Sequence, residues 1–163
     1  MNGGSGIVRV RPDGSMHAVA EGLPWPNGMA LVDDGRILVV ADSHAKQLVA
    51  FDVAEDGTLA GRRVWADLEH APDGICADAD GAVWVASVPG QSCVRVREGG
   101  KVLDTVAVDR GCFACMLGGE DGRTLFIAAA RWHGMQTAMS DGPDWTGQLL
   151  AAAGQPAPHA GRP

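Results

Sequence analysis

Two tripeptides offer the clearest chemistry in this sequence: Pro26-Asn27-Gly28 and Pro72-Asp73-Gly74. One presents an amide oxygen, the other a carboxylate. Oxygens of this kind suit a hard divalent cation such as Ca2+ or Mg2+, and also Mn2+ or Zn2+. The same tripeptides are strong turn formers, with Asn or Asp folding onto local backbone and Gly taking a positive φ. On residue types alone, both readings stand. Further candidates are His44, after Asp42-Ser43, and the run Arg131-Trp132-His133. A histidine beside a polarised water could act as acid or base. Arg131 could hold a substrate carboxylate or hydroxyl. For all three the alternative is a solvated loop residue. No G-x-S-x-G, Gly-rich phosphate loop or H-E-x-x-H is present, which argues against serine-based hydrolysis. Cys76, Cys93, Cys112 and Cys115 lack the paired spacing of a zinc finger. They read as buried reduced thiols, with a redox or metal role for Cys112 and Cys115 as the alternative.

The elements that must position these residues come from an internal repeat. The segments PNGMALVDDGRILVVADS, PDGICADADGAVWVASVP and FACMLGGEDGRTLFIAAA align on Gly35, Gly81 and Gly122, spaced by 46 and 41 residues. That period fits a four-stranded propeller blade. Within each repeat an apolar strand, a turn ending in Asp-Gly or a similar pair, and a second apolar strand form a hairpin signature. First strands are expected at 29–33, 75–78 and 114–117, second strands at 37–42, 82–87 and 124–129. Third strands follow at 47–53, 92–97 and 148–152, and fourth strands at 62–67 and 102–108. The inner pair of each blade is apolar enough for burial on both faces. Segments 6–11 and 16–20 read as the outer strands of an earlier blade.

The fold class is therefore all-β, a partial β-propeller of roughly three blades. As one domain over 1–163, it divides into outer strands (1–22), full blades at 27–68 and 73–110, a last blade (113–153) and a tail (154–163). Arg131–Thr146 is a long loop of the kind that forms lids. Rotation about a propeller axis makes Asn27, Asp73 and Ala114, each eight residues before a turn glycine, equivalent positions. An open half-ring would expose apolar blade faces. Upstream sequence or another chain is thus expected to complete it, self-association being one route.

Composition sets outer limits. Of the 163 residues 46% are hydrophobic, too many for a disordered chain, and 23 are glycine, as frequent turns require. The net charge of −7 argues against nucleic acid or an anionic membrane as partner. The N-terminal Met-Asn-Gly-Gly-Ser-Gly has no basic or apolar region of a signal peptide, and no run spans a membrane. A cytoplasmic protein is the expectation.

The segments GLPWPNGMALVDDGRILVVADS, AFDVAEDGTLAGRRVWADL and PDGICADADGAVWVAS, in this order and spacing, resemble the gluconolactonase/regucalcin (senescence marker protein) family. The likeness runs from about Gly6 through GGEDGRTLFIAAA to the terminal AGRP. It implies a six-bladed propeller with a divalent cation in its central tunnel, hydrolysing sugar or other lactones and, in some relatives, organophosphate esters. It implies Asn27 and Asp73 as metal ligands and Asp73 as general base for the attacking water. The family's remaining metal ligand, a Glu, and its substrate-contacting Arg and Asn lie in an N-terminal half with no counterpart here; Glu21 sits at an outer-strand end and is no substitute. The implied function is a metal-dependent lactonase or esterase represented by its C-terminal half. The alternatives are a non-catalytic binding module and an inactive fragment.

Overall fold

The computed structural model describes residues 5–134 and 146–161. Its regular structure there is all strand, in four antiparallel sheets. The first pairs β1 (Gly6–Val10) with β2 (Met16–Glu21). The second runs in order through β3 (Pro26–Val32), β4 (Ile37–Asp42), β5 (Gln47–Val53) and β6 (Leu59–Asp67). The third does the same with β7 (Ile75–Ala77), β8 (Val83–Ser87), β9 (Ser92–Val96) and β10 (Val102–Ala107). The fourth holds β11 (Gly111–Gly118), β12 (Thr124–Ala130) and β13 (Gln148–Ala152). Hairpins join the neighbouring strands of the first three sheets and join β11 to β12 in the fourth. Left-handed Gly35, Gly81 and Gly122 close the three repeat hairpins, at φ of 83°, 75° and 70°, where a β-carbon would be strained.

The sheets stack face to face in chain order. Ile7 and Leu23 meet Val40, Val49 and Phe51 between the first and second. Val39, Ala41, Leu48, Ala50 and Trp65 meet Ile75, Val83, Val85 and Val96 between the second and third. Cys76, Trp84, Ala86 and Cys93 meet Cys112, Cys115, Leu125 and Ile127 between the third and fourth. A sheet sandwiched on both sides has strands buried on both faces, and every residue of β8 is buried.

Burial departs from the expected pattern at the inner edge of the second and fourth sheets, but not of the third, where Ile75 and Cys76 of β7 are buried. β3 alternates, leaving Met29 and Leu31 53% and 45% exposed, and Met116 of β11 is 52% exposed. These first strands are the free inner edges of their sheets, so one side chain in two points away from the stacked cores. The doubly buried strands are β4 and β5 rather than the innermost one.

The tail is docked. Ala79 N–H donates to Pro158 C=O (2.8 Å), His159 N–H to Gly122 C=O (3.1 Å) and Ala160 N–H to Ala77 C=O (3.2 Å). Segment 155–160 thus clasps the hairpins of the third and fourth sheets. Of the long loop expected at Arg131–Thr146, residues 135–145 lie outside the described residues. Among the described residues no helix is long and apolar enough to cross a membrane.

Candidate metal and substrate site

Strand direction sorts the connections between two ends of the stack. The repeat hairpins lie at one end. The other collects the starts of the first strands, the loops after β4, β8 and β12, and the crossings between sheets. Every candidate from the sequence lies at this second end.

Backbone contacts between sheets build its floor. Gly28 N–H donates to the Asp73 carbonyl at 3.1 Å, and Gly74 N–H to the Phe113 carbonyl at 2.8 Å. Asp73 N–H donates to Ala86 C=O (2.8 Å), which holds residue 73 onto the end of β8. A β-carbon on Gly28 would fall 2.6 Å from Ile75 N and 2.8 Å from Asp73 O; on Gly74 it would fall 2.8 Å from Ala114 Cα. Neither glycine has a positive φ. This corrects the expectation of left-handed turns: both are glycine because the next sheet's backbone occupies the side-chain space.

The same contacts correct the repeat register. Asn27-Gly28 leans on Asp73-Gly74, which leans on Phe113-Ala114. The fourth-sheet residue matching Asp73 is therefore Phe113, and Ala114 matches Gly74. Counting back from the turn glycine fails there because the β11–β12 turn, between the paired Gly118 and Thr124, is one residue longer than the β3–β4 turn between Val32 and Ile37.

Side chains complete the floor. Ser43 Oγ donates to the Pro72 carbonyl at 2.6 Å, and the Asn27 amide reaches Ser43 Oγ at 3.5 Å. Ser87 Oγ donates to the Ala71 carbonyl at 2.8 Å from the other side. The crossing 71–73 is thereby pinned between two loops. Asp73 is half-buried. That burial pushes its carboxyl above the ordinary carboxylate value, while a hydrogen bond from Asn27 pulls it back. A partly desolvated carboxylate beside an amide is a placement that a bound cation would stabilise. As a donor set, Asn27 and Asp73 fit part of a hard-cation shell. Among the described residues no three His, Cys, Asp or Glu side chains converge to hold a metal.

The other candidates surround this pair more loosely. His44 and His133 are exposed in the loops after β4 and β12. Arg131 anchors through its backbone N–H to Thr146 Oγ1 at 3.1 Å. The Arg110 guanidinium, and more weakly the charge of Arg131, hold Asp109 below its ordinary carboxyl value. The charge of Arg131 is thus shared with a surface carboxylate. Glu21 ends β2, exposed and paired across the ladder with Gly6.

Beneath the floor lie the thiols. All four cysteines are free and buried. Cys115 Sγ contacts the Trp84 carbonyl at 3.5 Å and the Gly74 carbonyl at 3.8 Å. Neighbouring Cys76 and Cys93, with burial, raise the Cys115 thiol well above its usual value, so it stays protonated at neutral pH. Sequence reasoning gave no role to Ser43 or Phe113, and gave Cys115 only a redox or metal role as the alternative to a buried thiol. Only Ser43 carried a signal, its place in a second-to-third-strand loop.

Residues 1–131 match the SMP-30/gluconolactonase/LRE-like region. The chain belongs to this family. Regucalcin of Danio rerio is 32% identical over 130 residues, covering 76% of this chain and 44% of that protein. The 6-deoxy-6-sulfogluconolactonase of Pseudomonas putida is 28% identical over 147 residues, covering 87% of this chain and 50% of its own length. Among solved structures, a luciferin-regenerating enzyme superposes with a TM-score of 0.81 at 19% identity, over 93% of this chain and 52% of that one. At that identity the likeness speaks for the fold, that of the family's propellers. This SMP-30/gluconolactonase/LRE-like chain spans half or less of the length of these curated relatives.

Proposed function

We propose that the chain carries one part of a metal-dependent lactonase site, with Asn27 and Asp73 as two ligands of a divalent cation and Asp73 as the catalytic base. The observation that carries this reading is the backbone contact between Gly28 and Asp73, which sets the two oxygen donors side by side on neighbouring sheets. The relatives named as lactonases support the reaction class. When bound, a cation such as Ca2+, Zn2+, Mn2+ or Mg2+ would supply charge stabilisation for the oxyanion of a lactone or ester carbonyl. The carboxylate of Asp73 takes the proton of the attacking water. Ser43 holds the pair in place, meeting the Asn27 amide at 3.5 Å and fixing the segment of Asp73 through the Pro72 carbonyl. His44, Arg131 and His133 ring the same end and contact the small-molecule substrate. The chain supplies about three blades of a six-bladed ring in a cytoplasmic enzyme, divided near 27, 73 and 113.

A non-catalytic binding module is the second reading, favoured by the lack of a third converging ligand among the described residues. Hydrolysis of a sugar lactone and an aryl ester, followed with and without chelator, separates the two. Chelator-sensitive turnover lost in Asp73→Asn supports the enzyme. Turnover indifferent to chelator would remove the metal mechanism.

A further inference from the structure

The position at which two sheets present Asn27 and Asp73 is filled in the next sheet by an aromatic ring. Phe113 stands in register with Asp73, and its carbonyl accepts from Gly74 N–H at 2.8 Å. Trp132 packs edge-on against it, ring centroids 5.7 Å apart and planes at 70°. On the other flank Trp25 precedes Pro26-Asn27, and its carbonyl accepts from Ser43 N–H at 3.0 Å. Trp25 and Trp132 are 57% and 43% exposed. Single exposed apolar residues are ordinary on a protein surface. These two are set apart by place, because one run of contacts, from Trp25 through Ser43, Pro72, Asp73 and Gly74 to Phe113 and Trp132, joins them across the polar pair. A polar centre between half-exposed rings is the usual composition of a small-molecule site.

We infer that Trp25 on one side and the Phe113–Trp132 pair on the other form an aromatic rim that selects substrates carrying an apolar ring face. The ring stacks on the rim while its carbonyl lies over the Asn27–Asp73 pair, within reach of water activated by Asp73. This rests on the reading of Asn27 and Asp73 given above. The C–H face of a sugar ring and the face of an aryl ring offer the same chemistry, and two probes distinguish them: D-glucono-1,5-lactam and the aryl lactam 3,4-dihydro-2-quinolinone, both resistant to hydrolysis.

The test is a ligand-observed NMR titration of the full chain with each lactam, for wild type and for Trp25→Leu and Trp132→Leu. Both tryptophans are exposed, so unchanged thermal melts are expected to show intact folding. Loss of a stacked ring weakens binding by roughly five- to tenfold. That loss is expected in both variants for at least one lactam, and the lactam affected names the ring type. The rim is overturned if both variants bind both lactams within twofold of wild type, or if wild type binds neither. Cation titration of wild type, Asn27→Ala and Asp73→Ala keeps the two ideas apart. Weakened lactam binding beside a cation response indifferent to Asn27→Ala and Asp73→Ala would sink the metal reading alone. The reverse would sink the rim alone.

Discussion

Asp73 meets two opposing demands, since burial favours its neutral form and the Asn27 hydrogen bond its charged form. Burial dominates, so folding raises its pKa. A carboxyl raised on folding adds stability that is present below its unfolded pKa and lost as pH rises through the folded value. At pH 7 the charged group is therefore a cost. Asp73→Asn should melt slightly higher than wild type at pH 7 and no higher at pH 3, a difference that thermal scans at the two pH values measure. A melting temperature lowered equally at both would mean that Asp73 is structural. Gly74 tells a different story. Its place is set by the Ala114 backbone 2.8 Å from where a β-carbon would sit. Gly74→Ala should cost about 1–3 kcal/mol in urea unfolding, as overpacking does, and a neutral result would contradict the close sheet approach. The sequence singled out the two tripeptides but not the reason they end in glycine. Positive φ is a local property that a turn motif suggests, whereas a neighbouring sheet's backbone leaves no mark in the tripeptide itself.

At the scale of elements, alternation and turn punctuation made the strands readable to within a few residues, as at Gln47–Val53 and Gln148–Ala152. The match of Phe113 to Asp73 was missed, because the β11–β12 turn carries one residue more than the β3–β4 turn, which moves its glycine one place along. The docked tail was missed too, being held largely by backbone hydrogen bonds that carry no residue preference. The third sheet also contains a hidden ion pair. Arg95 Nε donates to Asp78 at 2.6 Å with the Asp78 side chain fully buried, and a second nitrogen reaches Asp80 at 2.8 Å. Asp78 in turn accepts the Asp80 and Ala82 N–H groups, fixing the hairpin of this sheet. Arg95→Met leaves a buried charge unpaired and should destabilise by about 3–5 kcal/mol. Adding Asp78→Leu should recover part of that loss, and chemical denaturation of the single and double variants checks both signs.

On the scale of the whole molecule, the stacked sheets bury their facing surfaces, while apolar residues remain exposed elsewhere. Met29, Leu31 and Met116 are exposed on the first strands, Val8, Val10 and Met16 on the first sheet, and Leu149 on β13 is 75% exposed. Apolar surface gathered in this way binds hydrophobic dyes or other chains. The 163-residue chain should enhance anilinonaphthalene sulfonate fluorescence under native conditions, or sediment as a dimer with that surface covered. A dye-silent monomer would contradict the exposure. The central claim is narrower, that Asn27 and Asp73 share one cation. Calorimetric titration of the chain with Mn2+ at pH 7 tests it most directly. One site per chain, weakened at least tenfold in both Asn27→Ala and Asp73→Asn, is the expected result. No heat of binding, or binding indifferent to both substitutions, would contradict it.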